Sequence, residues 1–177
     1  MKQIYINWDI DSQEQPLKQL SRRTDDYRFK DRPLVPLYAR PKPTAYKDKT
    51  ANELTKAIIV FFEIQGGIGE RINSMGKVID TRKTYQDPIT GQTKVIGSID
   101  WVKGTSTDGT ADISATVFGL SVKVEVKIGN DRQSEAQKKY QERIERAGGI
   151  YIIARSFDGF LHEFFRELNK IGLSWKK

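Results

Sequence analysis

Residues 109–127 read GTADISATVFGLSVKVEVK, and the fold turns on how this stretch is parsed. Ala111, Ile113, Ala115 and Val117 alternate with Asp112, Ser114, Thr116 and Phe118. After Gly119 and Leu120, Val122, Val124, Val126 and Ile128 alternate with Lys123, Glu125 and Lys127. A period of two places successive side chains on opposite faces of a sheet, so each half is a strand with one apolar face, joined by a hairpin at the glycine. With Gly119 and Leu120 as the tip, Phe118 pairs with Ser121, Ser114 stands opposite Glu125, and Asp112 stands opposite Lys127. These four share the polar face. Asp112 and Glu125 become diagonal neighbours with backbones about 7–8 Å apart. A three-residue tip would flip one strand and scatter the set.

Outward from the hairpin, Leu54, Ala57, Ile58, Phe61 and Phe62 recur at helical spacing behind a capping box, Thr50-x-x-Glu53, and Gly66-Gly67 stops that helix. Glu70 to Met75 reads as a short strand, followed by a hairpin around Asp87-Pro88-Ile89-Thr90-Gly91. Downstream, Ser134-x-x-Gln137 opens a helix with Ala136, Tyr140, Ile144 and Ala147 on one stripe, ended by Gly148-Gly149. Ile150 to Ala154 is a continuous apolar run, hence a buried strand parallel to the Glu125 strand. A last amphipathic helix turns Leu161, Phe164, Phe165, Leu168 and Ile171 inward. The expected architecture is α/β, a mixed β-sheet flanked by helices in the order αβββαβ. Residues 50–177 form this domain, 76–108 an inserted β-hairpin, and 1–49 a basic N-terminal arm. Within the arm, Arg32 to Lys47 is a Pro-rich linker, and Arg40, Lys42, Lys47 and Lys49 run along it with Tyr38 and Tyr46 interspersed. Such a linker tracks a phosphate backbone or packs along its own domain.

The 177 residues are 37% hydrophobic and 30% charged, a soluble composition, and no apolar run approaches the roughly 18 residues of a membrane span, so no membrane partner is expected. Met1 to Tyr5 lacks the apolar run of a secretory signal, which makes a cytoplasmic, intracellular location the expectation. With no cysteine and one histidine, His162, thiolate sites and histidine-rich metal sites are excluded. Any metal is held by oxygen, which suits Mg²⁺ or Mn²⁺. The net charge of +7 is compatible with a polyanionic partner.

Two carboxylates about 5 Å apart repel by roughly 3 kcal/mol at an effective dielectric near 20, which Lys127 offsets in part and a divalent cation offsets further. Asp112, Glu125 and the Val126 carbonyl are the candidate ligands, with Lys127 orienting a water or steadying a phosphate. Spacing alone is equally satisfied by a solvated strand face formed by Lys123, Glu125 and Lys127.

The order Gly109-x-x-Asp112, then Glu125-x-Lys127, then Gln137 on the next helix resembles the PD-(D/E)XK nuclease superfamily, and most closely the virus-type replication-repair nuclease (VRR-NUC) family. The resemblance spans roughly residues 50–169, with Ala111 in place of the signature proline. It implies a restriction-endonuclease-like core and a Mg²⁺-dependent endonuclease cutting DNA, including structured or branched DNA. It further implies a homodimer and a phage or prophage origin in a bacterial or phage-infected host. Gln137 joins Asp112, Glu125 and Lys127 as a catalytic residue, and Glu53 joins the metal ligands. Arg71, Asn73, Ser114 and Arg155 are the nucleic-acid contacts. The alternatives are a nucleic-acid-binding module of the same fold without turnover and an assembly protein.

Overall fold

The computed structural model describes residues 3–6, 8–9, 12–31, 35–72, 76–102 and 107–176. It divides into two compact units, residues 1–72 with 109–177 and residues 73–108. The first unit starts with β1 (Gln3–Tyr5), α1 (Pro16–Phe29), α2 (Ala51–Ile64) and β2 (Ile68–Arg71). The second unit holds β3 (Lys77–Asp80), β4 (Lys83–Gln86), β5 (Thr93–Ile96) and β6 (Ile99–Val102). The chain then completes the first unit with β7 (Ile113–Val117), β8 (Leu120–Val126), α3 (Glu135–Arg146), β9 (Ile150–Ala154), α4 (Phe157–Lys170) and β10 (Ser174–Lys176).

The central sheet has the order β2-β7-β8-β9, antiparallel except for the parallel β8–β9 pair. Helix α3 supplies the crossover that a parallel pair requires. From α2 onward the first unit is therefore an α/β core with a mixed sheet flanked by helices. β1 and β10 form a separate parallel pair. No helix among the described residues is long and apolar enough to cross a membrane.

Both expected capping boxes are present, at Thr50 with Glu53 and at Ser134 with Gln137. Their helices are anchored differently. α2 buries Leu54, Ala57, Ile58, Phe61, Phe62 and Ile64, and α4 buries Phe157, Phe160, Leu161, Phe164, Phe165 and Leu168. The Phe61 ring meets Phe160 at 5.5 Å and Phe164 at 5.6 Å, edge to face. At about 1.5–3 kcal/mol per buried large side chain, against about 1 kcal/mol per cap, this cluster fixes α2 and α4. α3 has no buried residue. Its N-terminus is held by its cap and by Gly109, where an added Cβ would lie 2.3 Å from the Ala136 carbonyl group.

The β7–β8 register corrects the expected one. Ile113 pairs with Val124, Ser114 with Lys123 and Val117 with Leu120, so the tip is Phe118-Gly119. Both tip residues have positive φ, 55° and 81°, as a type I′ turn requires. Phe118 accepts this backbone because its side chain packs against the core and Val117–Leu120 becomes one more apolar pair. The slip is two residues, an even number, so every side chain keeps its face.

Other differences follow from burial. The segment read as an arm contains α1, with Pro16 in its first turn, and Leu20 at 0% exposure packs it on α2 and α4. Tyr46 is buried, Arg40 lies over the Phe29 ring and Asp48, just past the linker, accepts the Phe157 N–H at 3.0 Å, so of the two courses expected for the linker it takes the one along its own domain. β2 starts at Ile68, two residues before the expected Glu70. Ile171 is exposed just past α4 rather than inward, and Ala147, expected on the α3 stripe, is also exposed. Trp8, despite its polar sequence neighbours, packs on Phe61 at 5.3 Å.

Candidate active site

One step beyond the Ile113–Val124 pair, the register brings Asp112 directly across from Glu125, not from Lys127 as the expected tip would have it. Asp112 also ties three strand ends together. Its Oδ2 accepts the Val126 N–H at 2.8 Å, and its carbonyl accepts the Ile72 N–H at 2.7 Å. Its Oδ1 accepts no hydrogen bond from the described residues.

Glu125 lies at 2% exposure near the end of β8. Its Oε1 takes the Lys127 ammonium at 3.2 Å and a short hydrogen bond from Gln137 Nε2, and the Tyr151 hydroxyl donates to Oε2 at 3.4 Å. Gln137 serves twice, because its Oε1 also accepts the Ser134 N–H at 2.9 Å to close the capping box. A glutamate at this position would close the box equally well but set a further negative charge against Glu125. The amide is what suits both tasks.

Lys127, at 5% exposure, is held between Glu125 and Asp131, the latter at 3.1 Å. Arg155 stabilises the intervening loop by donating to the carbonyls of Gly129 and Asp131, each at 3.1 Å. Two carboxylates thus hold one ammonium, and Asp112 stands beside the first of them, Glu125. Burial and the Asp112 charge push the Glu125 pKa above the ordinary value, against the downward pull of Lys127. Burial also works against the Lys127 charge, but Asp131 and Glu125 outweigh it and raise its pKa. Burial and Glu125 together push the Tyr151 phenol well up, which keeps it a hydrogen-bond donor.

The structure therefore gathers Asp112, Glu125, Lys127 and Gln137, with the Val126 backbone beside them. Glu53 is engaged elsewhere, its Oε2 accepting from the Thr50 N–H and hydroxyl at 3.1 Å each. No group of three carboxylate or histidine side chains among the described residues is arranged to hold an ion. Ser114 receives the Lys123 ammonium, Arg71 is exposed at the end of β2, and Asn73 lies outside the described residues.

Asp131 and Tyr151 join the site without having been singled out in the sequence. Asp131 stands four residues past Lys127 in an irregular loop, where spacing carries no directional information. Tyr151 was hidden in an apolar run, although the parallel pairing of Glu125 with Ile153 makes it a same-face diagonal neighbour of Glu125. A groove of about 1160 Å³ between β9 and α4 interleaves Glu145, Arg155, Asp158 and Arg166 and lacks a concentration of one charge sign.

Compared with known proteins, the chain matches no family model and no curated sequence.

Proposed function

We propose that this chain is a divalent-metal-dependent phosphodiesterase acting on DNA, with Asp112, Glu125 and Lys127 as its working residues. What supports the reading most is the buried Glu125 carboxylate at the end of β8, which meets the Lys127 ammonium on one side and the Asp112 charge on the other, so that it carries a charge its surroundings disfavour. Ends of strands in such sheets are where ligands gather.

The donor set fits a hard cation with few protein ligands. Among the described residues nothing donates to Asp112 Oδ1 and Glu125 Oε2 has only the long Tyr151 contact, leaving acceptor capacity on both carboxylates. With two carboxylates available, water and the Val126 carbonyl would complete the shell, the habit of Mg²⁺ rather than of Ca²⁺. When bound, the cation supplies a water of lowered pKa and a counter-charge for the phosphoryl oxygens. The protein groups do the positioning. Gln137 and Tyr151 hold Glu125 in one orientation, and Asp131 holds the Lys127 ammonium where it can donate to a water or to phosphoryl oxygens as charge builds on them. An intracellular location and a homodimer addressing two strands belong to the same proposal.

The test is incubation of the purified chain with plasmid, linear duplex and four-way-junction DNA in Mg²⁺, Mn²⁺ or EDTA. Cleavage is expected only with metal. It should disappear in Asp112→Ala and fall by about 10²–10³ in Lys127→Ala, the usual scale for losing one transition-state donor. Binding without cleavage under every metal would assign the chain to the nucleic-acid-binding modules instead.

A further inference from the structure

Residues 77–102 form a two-stranded ribbon in the second unit. β3 pairs with β6 and β4 with β5, both antiparallel. Between the pairs Asp80–Ile99 and Lys83–Ile96, each strand advances three residues, so no bulge intervenes and one register runs the whole length. Alternation then defines two faces. Val78, Trp101, Ile99 and Val95 share one of them. Lys77, Lys83, Tyr85 and Lys94 share the other, with Ile79, Ile96, Val102 and Asp100.

All of these residues are exposed. A two-stranded ribbon buries too little to be stable on apolar contacts alone, so its surface chemistry reflects what it meets. Its acids are already engaged inside the ribbon. Asp80 pairs with Arg82 at 2.8 Å, Asp87 accepts the N–H groups of Ile89 and Thr90 in the turn, and Asp100 accepts the Ser98 hydroxyl. Lys77, Lys83 and Lys94 pair with no carboxylate among the described residues. At about 3.3 Å per residue, Lys77 and Lys83 stand about 20 Å apart along the strand, the rise of roughly six base steps. Lys94 lies beside Tyr85 in the next same-face position.

We propose that the 77–102 ribbon is a second nucleic-acid contact, gripping the phosphate backbone through Lys77, Lys83 and Lys94. Two-stranded ribbons fit DNA grooves, and each neutralised phosphate adds about 0.9 to the slope of log affinity against log salt. The inference shares a DNA partner with the proposed active site but none of its chemistry. It is read in EDTA, where no cleavage occurs.

The experiment is fluorescence anisotropy of a labelled DNA duplex with the full chain in EDTA, across about 50 to 200 mM salt. Three chains are compared: unmodified, Lys77→Gln/Lys83→Gln/Lys94→Gln, and a control with the same charge removed elsewhere, Lys18→Gln/Lys56→Gln/Lys170→Gln. The ribbon variant should have a slope shallower by about 2.7, so the affinity lost over that range shrinks by about 40-fold relative to the unmodified chain. The control should change the slope by less than about 1. Equal slopes in ribbon variant and control, or no binding by the unmodified chain at low salt, would overturn the proposal. So would an unchanged slope with self-association lost in Val78→Ser/Trp101→Ser, which would assign the ribbon to a second copy of this chain. Loss of cleavage in the assay above with the ribbon slope intact would count against the active-site reading alone.

Discussion

Asp112→Asn should make the metal-free protein slightly more stable while removing its response to Mg²⁺. The substitution keeps an acceptor for the Val126 N–H and deletes one charge beside Glu125. Two charges about 5 Å apart repel by about 3 kcal/mol at an effective dielectric near 20. Asp112 is only half-buried, so screening reduces this to about 1–2 kcal/mol. Replacing a charge-assisted hydrogen bond by a neutral one returns about 1 kcal/mol of that gain. The net is a stabilisation of up to about 1 kcal/mol in EDTA, or about 2 °C in Tm for a chain of this size. Mg²⁺ at about 100 times its Kd would stabilise the unmodified chain by about 2.7 kcal/mol and the variant by much less. The order of the two Tm values should therefore invert between EDTA and Mg²⁺, as thermal melts would show. A variant that melts below the unmodified chain in EDTA, or that gains as much from Mg²⁺, refutes the picture of two repelling carboxylates relieved by a cation.

Gly109→Ala should cost about 3 kcal/mol or more in urea unfolding, because it combines a φ of +78° with a Cβ 2.3 Å from the α3 backbone. Gly119→Ala, at +81° with nothing within 4 Å, should cost about 1 kcal/mol; equal losses would remove the backbone contact as the anchor of α3. Glu125 has a folded pKa raised above 4.5, so its protonation favours the fold. That stabilisation is complete below the unfolded value and is lost as pH rises through the folded one. Metal-free Glu125→Gln should show a flatter stability profile across that window, and an unchanged profile would mean the burial penalty is absent. Lys127 has the opposite charge type but also a raised pKa, so its contribution should persist to alkaline pH and fade only above the ordinary lysine value; Lys127→Met should abolish that alkaline limb in chemical-denaturation scans.

Alternation proved the durable part of the sequence signal, because it depends on parity rather than on partner identity. The hairpin tip was displaced by one residue and every pairing changed by two, yet Asp112, Ser114, Glu125 and Lys127 kept their shared face. The two capping boxes were equally legible, since the hydrogen bonds that make them lie within four residues. Helix α1 was not. Its apolar stripe is thin, with only Leu20 fully buried among its hydrophobic residues, and its docking depends on α2 and α4, which no local window contains.

The site divides along the same line. Spacing places Gln137 only in its capping box, and its part in the site comes from the resemblance, whereas Tyr151 follows from register once β9 is known to be parallel to β8. Asp131 depends instead on the path of an irregular loop that Arg155 holds by two backbone carbonyls. Under the proposed chemistry Arg155 then acts as a positioning residue for the Lys127 ammonium, against the expected role as a phosphate contact. Arg155→Ala should release the loop and weaken the Asp131–Lys127 pair, leaving Lys127 to Glu125 alone. Under the proposed chemistry the rate then falls with DNA affinity unchanged, whereas an arginine that grips phosphate would show the loss in affinity. Measuring kcat and KM separately on the same duplex decides between the two roles.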